Sequence, residues 1–128
     1  MASRRPSISE TELDILRVLW EQGPGTVREI NGLLRRQGRR WAYTTVLTLL
    51  QRLEAKGYVA SDKSGQAHVF RAGLSRERLL RQRLKELANQ LCEGTATPLV
   101  LALVEGQRFT SEELEQFRRL LDELEGKK

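Results

Sequence analysis

The fold is decided by the stretch WAYTTVLTLLQRLEAKG, which occupies positions 41–57. Its apolar side chains recur at the spacing i, i+3, i+4, i+7 that one face of an α-helix shows. They are Val46, Leu49, Leu50 and Leu53. We therefore expect a helix from Ala42 or Tyr43 to Lys56, ended by Gly57, with this face buried in a core.

The opposite side of this helix carries hydroxyl and amide side chains rather than carboxylates. Its members are Thr44, Thr48, Gln51, Arg52 and Ala55, with Thr45 and Leu47 at the flanks. Such side chains can reach base edges and phosphates in a DNA major groove, and small ones allow close approach. An ordinary exposed face is the alternative, but threonine is a mediocre helix former and several on one face need a reason.

Two shorter helices are predicted before this one, each opened by a capping box. The first box pairs Ser9 with Glu12, and the second pairs Thr26 with Glu29. Glycines end both helices, in the run Gly23-Pro24-Gly25 and at Gly38.

A β-hairpin is predicted after the third helix. Two β-prone runs, residues 58–62 and 67–71, flank a turn that contains Ser64 and Gly65. Three helices followed by a hairpin form a winged helix-turn-helix, with residues 63–66 as the tip of the wing. The fold class is therefore mainly α with a small β-hairpin.

Residues 74–128 predict three further helices that are rich in leucine. One carries a heptad-like seam, one is apolar from residue 99 to residue 104, and the last has a single apolar side. Because short helices cannot bury so much apolar surface among themselves, we expect two copies of the chain to pair here. Folding back onto the winged helix is the alternative. The predicted dimerisation residues are Leu80, Leu84, Leu87, Leu99, Leu103, Phe117 and Leu121.

The net positive charge is confined to the first of these two predicted domains. The net charge of the chain is +5, and residues 1–73 hold 12 Lys and Arg against 7 Asp and Glu. Residues 74–128 hold ten of each. A basic domain beside a neutral one indicates a surface that meets a polyanion, DNA in the first instance. A winged helix that binds an acidic protein partner is the alternative.

The sequence offers no constellation for catalysis, metal binding or a cofactor. His68 is the only histidine and Cys92 the only cysteine, which excludes a Ser/His/Asp triad, a Cys/His pair and a transition-metal site within one subunit. We expect Cys92 to be a buried structural thiol rather than a redox sensor. No apolar run is long enough for membrane insertion, and residues 1–9 lack the apolar stretch of a signal peptide, so we expect a cytoplasmic protein.

The chain from Ile8 onward resembles the BlaI/MecI/CopY family of penicillinase repressors. The resemblance lies in ISETELDILRVLW at 8–20, in the stretch at 41–57, and in PLVLALVE at 98–105 with the leucines at 114–124. It implies a homodimeric winged-helix repressor that binds a palindromic operator in double-stranded DNA. It also implies a membrane-bound sensor protease, or a protease downstream of it, as a partner that cleaves the C-terminal region.

This sequence departs from the family at three places. The Asn-Phe bond that is cleaved in the resistance members aligns with Ala102-Leu103. The Cys-x-Cys pair of the copper-responsive branch is absent, since Cys92 stands alone. Thr44 and Leu47 stand where the resistance repressors have basic residues, so a different operator sequence is expected.

DNA contacts are predicted for two groups of residues. The recognition helix supplies Tyr43, Thr44, Thr45, Thr48 and Arg52, of which the threonines and the arginine enter the major groove. The phosphate backbone is held by Arg39, Arg40, Lys63 and Arg71.

Overall fold

The computed structural model describes residues 7–126 of the chain. Contacts divide it into two compact units, the first running to Arg81 and the second starting at Gln82. The first unit contains α1 (Glu10–Gln22), β1 (Gly25–Thr26), α2 (Val27–Arg36), α3 (Tyr43–Ala55), β2 (Val59–Asp62), β3 (Val69–Ala72) and the start of α4 (Arg76–Leu91). The second contains the rest of α4, α5 (Thr97–Glu105) and α6 (Ser111–Gly126).

The first two helices begin at the predicted capping boxes. The Ser9 hydroxyl accepts the Glu12 N–H at 3.2 Å, and the Glu12 carboxylate accepts the Ser9 N–H at 2.9 Å. The same reciprocal pair joins Thr26 and Glu29 at the start of α2. Local sequence alone therefore sets where these helices begin, because each box satisfies backbone donors that lack an intrahelical partner.

The sheet has one strand more than predicted. β2 and β3 form the expected antiparallel hairpin, with Val59 opposite Ala72. β1 pairs with the other edge of β3, so that Thr26 lies opposite Val69 and the order is β1-β3-β2. The prediction of a two-stranded hairpin was incomplete, because a two-residue strand has no alternation of side chains that could reveal it.

The core of the first unit is formed by all three early helices and by the hairpin. The four α3 residues predicted to face it are buried, which confirms the helical register of that segment. Leu74 and Leu79 also pack into this core, at 6% and 7% exposure. This packing is why the first unit extends beyond residue 73, the predicted limit of the DNA-binding domain, into the first turns of α4.

A buried ion pair joins the start of α1 to the end of α3. Glu12 is 2% exposed, and its two carboxylate oxygens lie 2.7 and 2.9 Å from Lys56 Nζ. The ammonium also donates to the Ser7 carbonyl at 3.0 Å. Burial alone would raise the pKa of Glu12, but hydrogen bonds from Lys56 and Ser9 outweigh it and hold the pKa below its usual value. The Glu12 carboxylate thus both caps α1 and forms an ion pair with Lys56, the residue that follows α3.

The second unit buries few of its apolar side chains. Ala88 is buried, whereas α5 and α6 contain no buried residue. Of the large hydrophobic residues that are exposed, all but Tyr43 and Val69 lie between Leu80 and Leu124. Such a concentration of exposed apolar surface marks an interaction site rather than a finished domain.

Cys92 differs from its prediction. It is only partly buried and lies one residue beyond the end of α4, where the predicted helix would have enclosed it. The chain turns away at this point because Glu93 and Gly94 adopt positive φ angles of 53° and 87°. The Cys92 carbonyl accepts hydrogen bonds from Thr95, which close this turn.

We predict that Glu12→Ala lowers the free energy of unfolding by about 2–4 kcal/mol, since it removes a cap and leaves the Lys56 ammonium without its buried partner. Urea denaturation of the full chain measures this. Glu29→Ala is the matched control, because it removes the same capping glutamate from an exposed site without an ion pair. Equal losses in the two variants would contradict a special role for Glu12.

A second prediction concerns the loss of stability at low pH. The folded-state pKa of Glu12 lies below its usual value of 4.5, so the unfolded chain takes up this proton first as the pH falls. The stability that Glu12 contributes is therefore fully present above about pH 4.5 and is lost as the pH falls through the lower folded-state pKa. The difference in unfolding free energy between the wild type and Glu12→Gln should shrink over that range. A difference that is constant with pH would contradict the assignment.

Candidate nucleic-acid interface

The outward face of α3 is exposed over its whole length. Tyr43 is 51% exposed, and the other residues predicted to contact DNA from this helix are exposed as well. They are Thr44, Thr45, Thr48 and Arg52. The buried face of the same helix packs against α1 and α2, so the core holds α3 while its polar face stays accessible.

Thr48 is partly engaged by its own helix. Its hydroxyl donates to the Thr44 carbonyl one turn earlier at 2.9 Å, which uses the single proton of that group. The oxygen still has acceptor capacity and the methyl group is free. In this rotamer Thr48 can accept from a base amino group or contact a thymine methyl, but it cannot donate.

Glu54 connects α3 to the wing. Its carboxylate accepts the Ser61 hydroxyl on β2 and lies 4.0 Å from Lys63 Nζ. Lys63, predicted to contact phosphate, is thus at the wing with 58% of its side chain exposed. The ion pair is loose, and this leaves the ammonium available to a stronger anion.

The turn of the wing is closed by Asp62. Its carboxylate accepts the Ser64 N–H at 2.9 Å. Hydrogen bonds from Ser64, with a smaller attraction from Arg71, hold the pKa of Asp62 below its usual value. The aspartate is therefore ionised at neutral pH and accepts the hydrogen bond that closes this turn.

The two arginines predicted to hold phosphates before α3 have different surroundings. Arg39 Nη2 lies 3.0 Å from Asp14 Oδ1 on α1, and its Nε is buried without a hydrogen-bond partner. Arg40 is exposed and makes no ion pair with any residue in the range 7–126. The charge of Arg39 is consequently neutralised by Asp14, whereas the charge of Arg40 has no carboxylate partner in this range.

Arg71 lies on the face of β3 opposite Phe70, which is buried. It lines a shallow cleft of about 580 Å³ with Trp20, Leu74 and Arg78. Trp20 donates its indole N–H to the Leu74 carbonyl at 2.9 Å, which anchors the start of α4 to α1. Arg71 thus lines a cleft at the base of α4 that contains none of the predicted α3 contacts, while its charge also attracts Asp62 at the wing.

A second cleft joins α2, α3 and the base of the wing. It measures about 600 Å³ and contains Tyr43, together with residues that the prediction of DNA contacts omitted. The omitted polar residues are Arg28, Gln51, Gln66 and His68. The sequence did contain a signal that could have placed His68 in this cleft. In a strand, residues two positions apart share a face, so His68 would be expected on the same side as Phe70.

Other kinds of site are not found in the described part of the chain. No group of three His, Cys, Asp or Glu residues within 7–126 is arranged to hold a metal ion. None of the helices described is long and apolar enough to cross a membrane.

Comparison with known proteins gives consistent matches. The family described as penicillinase repressor matches residues 8–123. The penicillinase repressor of Bacillus licheniformis is 25% identical, over 96% of this chain and 95% of that protein. The methicillin resistance regulatory protein MecI of Staphylococcus aureus strain N315 is 23% identical, over 95% of this chain and 98% of that protein.

A solved structure agrees with the fold of the first unit. The DNA-binding domain of the repressor BlaI superposes with a TM-score of 0.51 at 27% identity. The match covers 59% of this chain and 90% of that domain. The winged helix inferred from the sequence is thereby confirmed.

We predict that Arg40→Ala flattens the salt dependence of binding to duplex DNA more than Arg39→Ala does. An unpaired arginine that contacts a phosphate contributes about one unit to the slope of log affinity against log salt. Arg39 contributes less, because Asp14 already neutralises it. Fluorescence anisotropy over a salt series measures both slopes, and an equal or larger change for Arg39→Ala would refute the distinction.

Proposed function

Because the chain belongs to the penicillinase repressor family, whose members are transcriptional repressors and not enzymes, we propose that it binds an operator in duplex DNA as a homodimer. The observation that carries this proposal is the exposed polar face of α3, held by a core that leaves it accessible beside a basic wing. Occupation of the operator blocks transcription. This activity belongs in the cytoplasm, where the chromosome is.

The charge distribution supports DNA over other partners. The excess of positive charge lies within residues 1–73, the part that carries α3 and the wing. Threonine, tyrosine and glutamine side chains on α3 provide groups that bind base edges and phosphates. An acidic protein would meet the same charge but would not require this hydroxyl-rich helix face.

The test is a mobility-shift assay on the duplex upstream of the chain's own gene, with a scrambled duplex of equal length and composition as control. A repressor shifts the promoter duplex at protein concentrations that leave the scrambled duplex free. If neither duplex shifts at low salt, the DNA-binding proposal is wrong and the acidic protein partner takes its place.

The homodimer is proposed from the second unit. α5 is apolar on all sides, and its large side chains at positions 100, 101 and 103 are each 53% exposed. A helix of this composition is stable in water only when another surface covers it. The family's repressors would pair here, and the two-fold symmetry of a dimer would match inverted operator half-sites. The predicted contacts remain Leu80, Leu84, Leu87, Leu99, Leu103, Phe117 and Leu121.

A protease partner follows from the family resemblance alone. The Ala102-Leu103 bond lies inside α5, so a protease could bind it only after this helix unwinds locally. A membrane metalloprotease encoded beside this gene would supply the candidate enzyme. Mass spectrometry of the chain after incubation with that enzyme would test the proposal. An intact chain would refute the proposed protease partner.

Dimerisation is best tested by substitutions, because truncation near residue 73 would remove Leu74 and Leu79 from the core of the first unit. We predict that Leu103→Glu combined with Leu121→Glu halves the mass measured by sedimentation equilibrium. Both side chains are more than half exposed in one chain, so their replacement spares the fold of the monomer. Gln116→Glu is the control, since it adds a charge to α6 at a polar position. A double variant that sediments with the mass of the wild type would contradict the interface.

A further inference from the structure

The cleft between α2, α3 and the wing exists because of the unpredicted strand β1. Thr26 is both the last residue of β1 and the N-cap of α2. Its pairing with Val69 places the start of β3 beside the first turn of α2. Arg28 and His68, forty positions apart in the sequence, therefore line the same cleft.

Apart from Thr26, which caps α2, the polar side chains named below line this cleft without partners in the described part of the protein. Among residues 7–126, Arg28, Tyr43, Gln51 and His68 make no side-chain hydrogen bond or ion pair with one another or with a neighbour. This distinguishes them from Arg39 and Lys63, which lie beside the carboxylates of Asp14 and Glu54. Donors that converge without partners favour a ligand that accepts hydrogen bonds.

The electrostatics of the cleft favour an anion. Its lining includes Arg28 and no carboxylate. The nearby Glu29 is occupied by capping α2 through the Thr26 N–H at 2.9 Å. The partial positive charge at the beginning of α2 acts in the same direction as the guanidinium. The cleft measures about 600 Å³ and lies between α2, α3 and the wing.

We propose that this cleft binds one strand of the operator's sugar-phosphate backbone where the strand passes from α3 to the wing. Arg28 and the imidazole N–H of His68 hold a phosphate from opposite walls, and the Tyr43 hydroxyl donates to the same strand. Gln51 lies deeper along α3 and reaches the adjacent base edge. The inference rests on the DNA-binding function proposed above, adds Arg28 and His68 to the residues that perform it, and assigns Gln51 to the strand held by this cleft.

The first test compares Arg28→Ala with Arg81→Ala by fluorescence anisotropy over a salt series. The probes are labelled duplexes of about 30 base pairs, one from the upstream region and one scrambled. Arg81 is an exposed arginine on α4 outside the cleft that makes no ion pair among residues 7–126, so its removal changes the net charge equally. We expect Arg28→Ala to lower the slope of log affinity against log salt by about one unit on both duplexes, and Arg81→Ala to leave the slope unchanged.

The conservative variant separates a phosphate contact from a structural role. Arg28→Lys keeps the charge and should retain the slope of the wild type, while circular dichroism verifies that all variants are folded. His68→Ala should weaken binding to both duplexes by a similar factor, since a phosphate contact carries no sequence information. Gln51→Ala should instead reduce the ratio of affinities for the upstream and scrambled duplexes.

Each failure has a distinct meaning. If the wild type binds neither duplex, the DNA-binding function itself is refuted and the cleft proposal falls with it. If the wild type binds but Arg28→Ala keeps its slope, or changes it no more than Arg81→Ala does, the cleft does not hold the backbone although the function stands. The proposal would likewise be overturned if Arg28→Lys lowered the slope as much as Arg28→Ala does. The positive charge at position 28 would then not be responsible for the salt dependence.

Discussion

The Glu12 carboxylate is the constraint on which the arrangement of the first unit depends. It completes the capping box of α1 and binds Lys56, one residue beyond α3. A carboxylate that is 2% exposed is costly to bury unless every oxygen is satisfied, and here both oxygens accept hydrogen bonds. The start of α1 and the end of α3 are thereby held in one geometry. Apolar packing between these helices is less directional and would tolerate sliding that this ion pair prevents.

The wing is fixed to α3 by a similar device at the same end of the helix. Glu54 lies one residue before the end of α3 and binds Ser61 on β2. The other side of the hairpin is held by β1, whose two residues attach the wing to the beginning of α2. The wing is therefore held on both edges, by a side chain on one and by backbone pairing on the other. A surface that must match a rigid double helix benefits from such preorganisation, because less conformational entropy is lost on binding.

The sequence was informative where the determining interactions are local. The register of α3 and both capping boxes followed from residues three or four positions apart, and the structure confirms them. The pairs Glu12–Lys56 and Arg39–Asp14 could not be predicted, because 44 and 25 positions separate their members. Arg39 stays a predicted phosphate ligand, and its internal partner Asp14 is what the fold adds to that prediction. Arg71 stays a predicted phosphate ligand as well, and the cleft that it shares with Trp20 and Arg78 joins residues too far apart in the sequence to be foreseen.

The two units meet the requirements of stability in different ways. The first has a core that includes aliphatic residues from three helices, the hairpin and the first turns of α4, and its polar groups near the interface are held by ion pairs. The second has helices whose apolar faces are uncovered, as at Leu121, which is 58% exposed, and a side chain caps α6 but not α5. Helical structure without a core is marginal in a single chain, since most helical stability in proteins comes from packing. In the homodimer proposed above, association of two chains would stabilise the second unit and supply two α3 helices, so that folding of this unit and recognition of a two-fold operator would be one linked equilibrium.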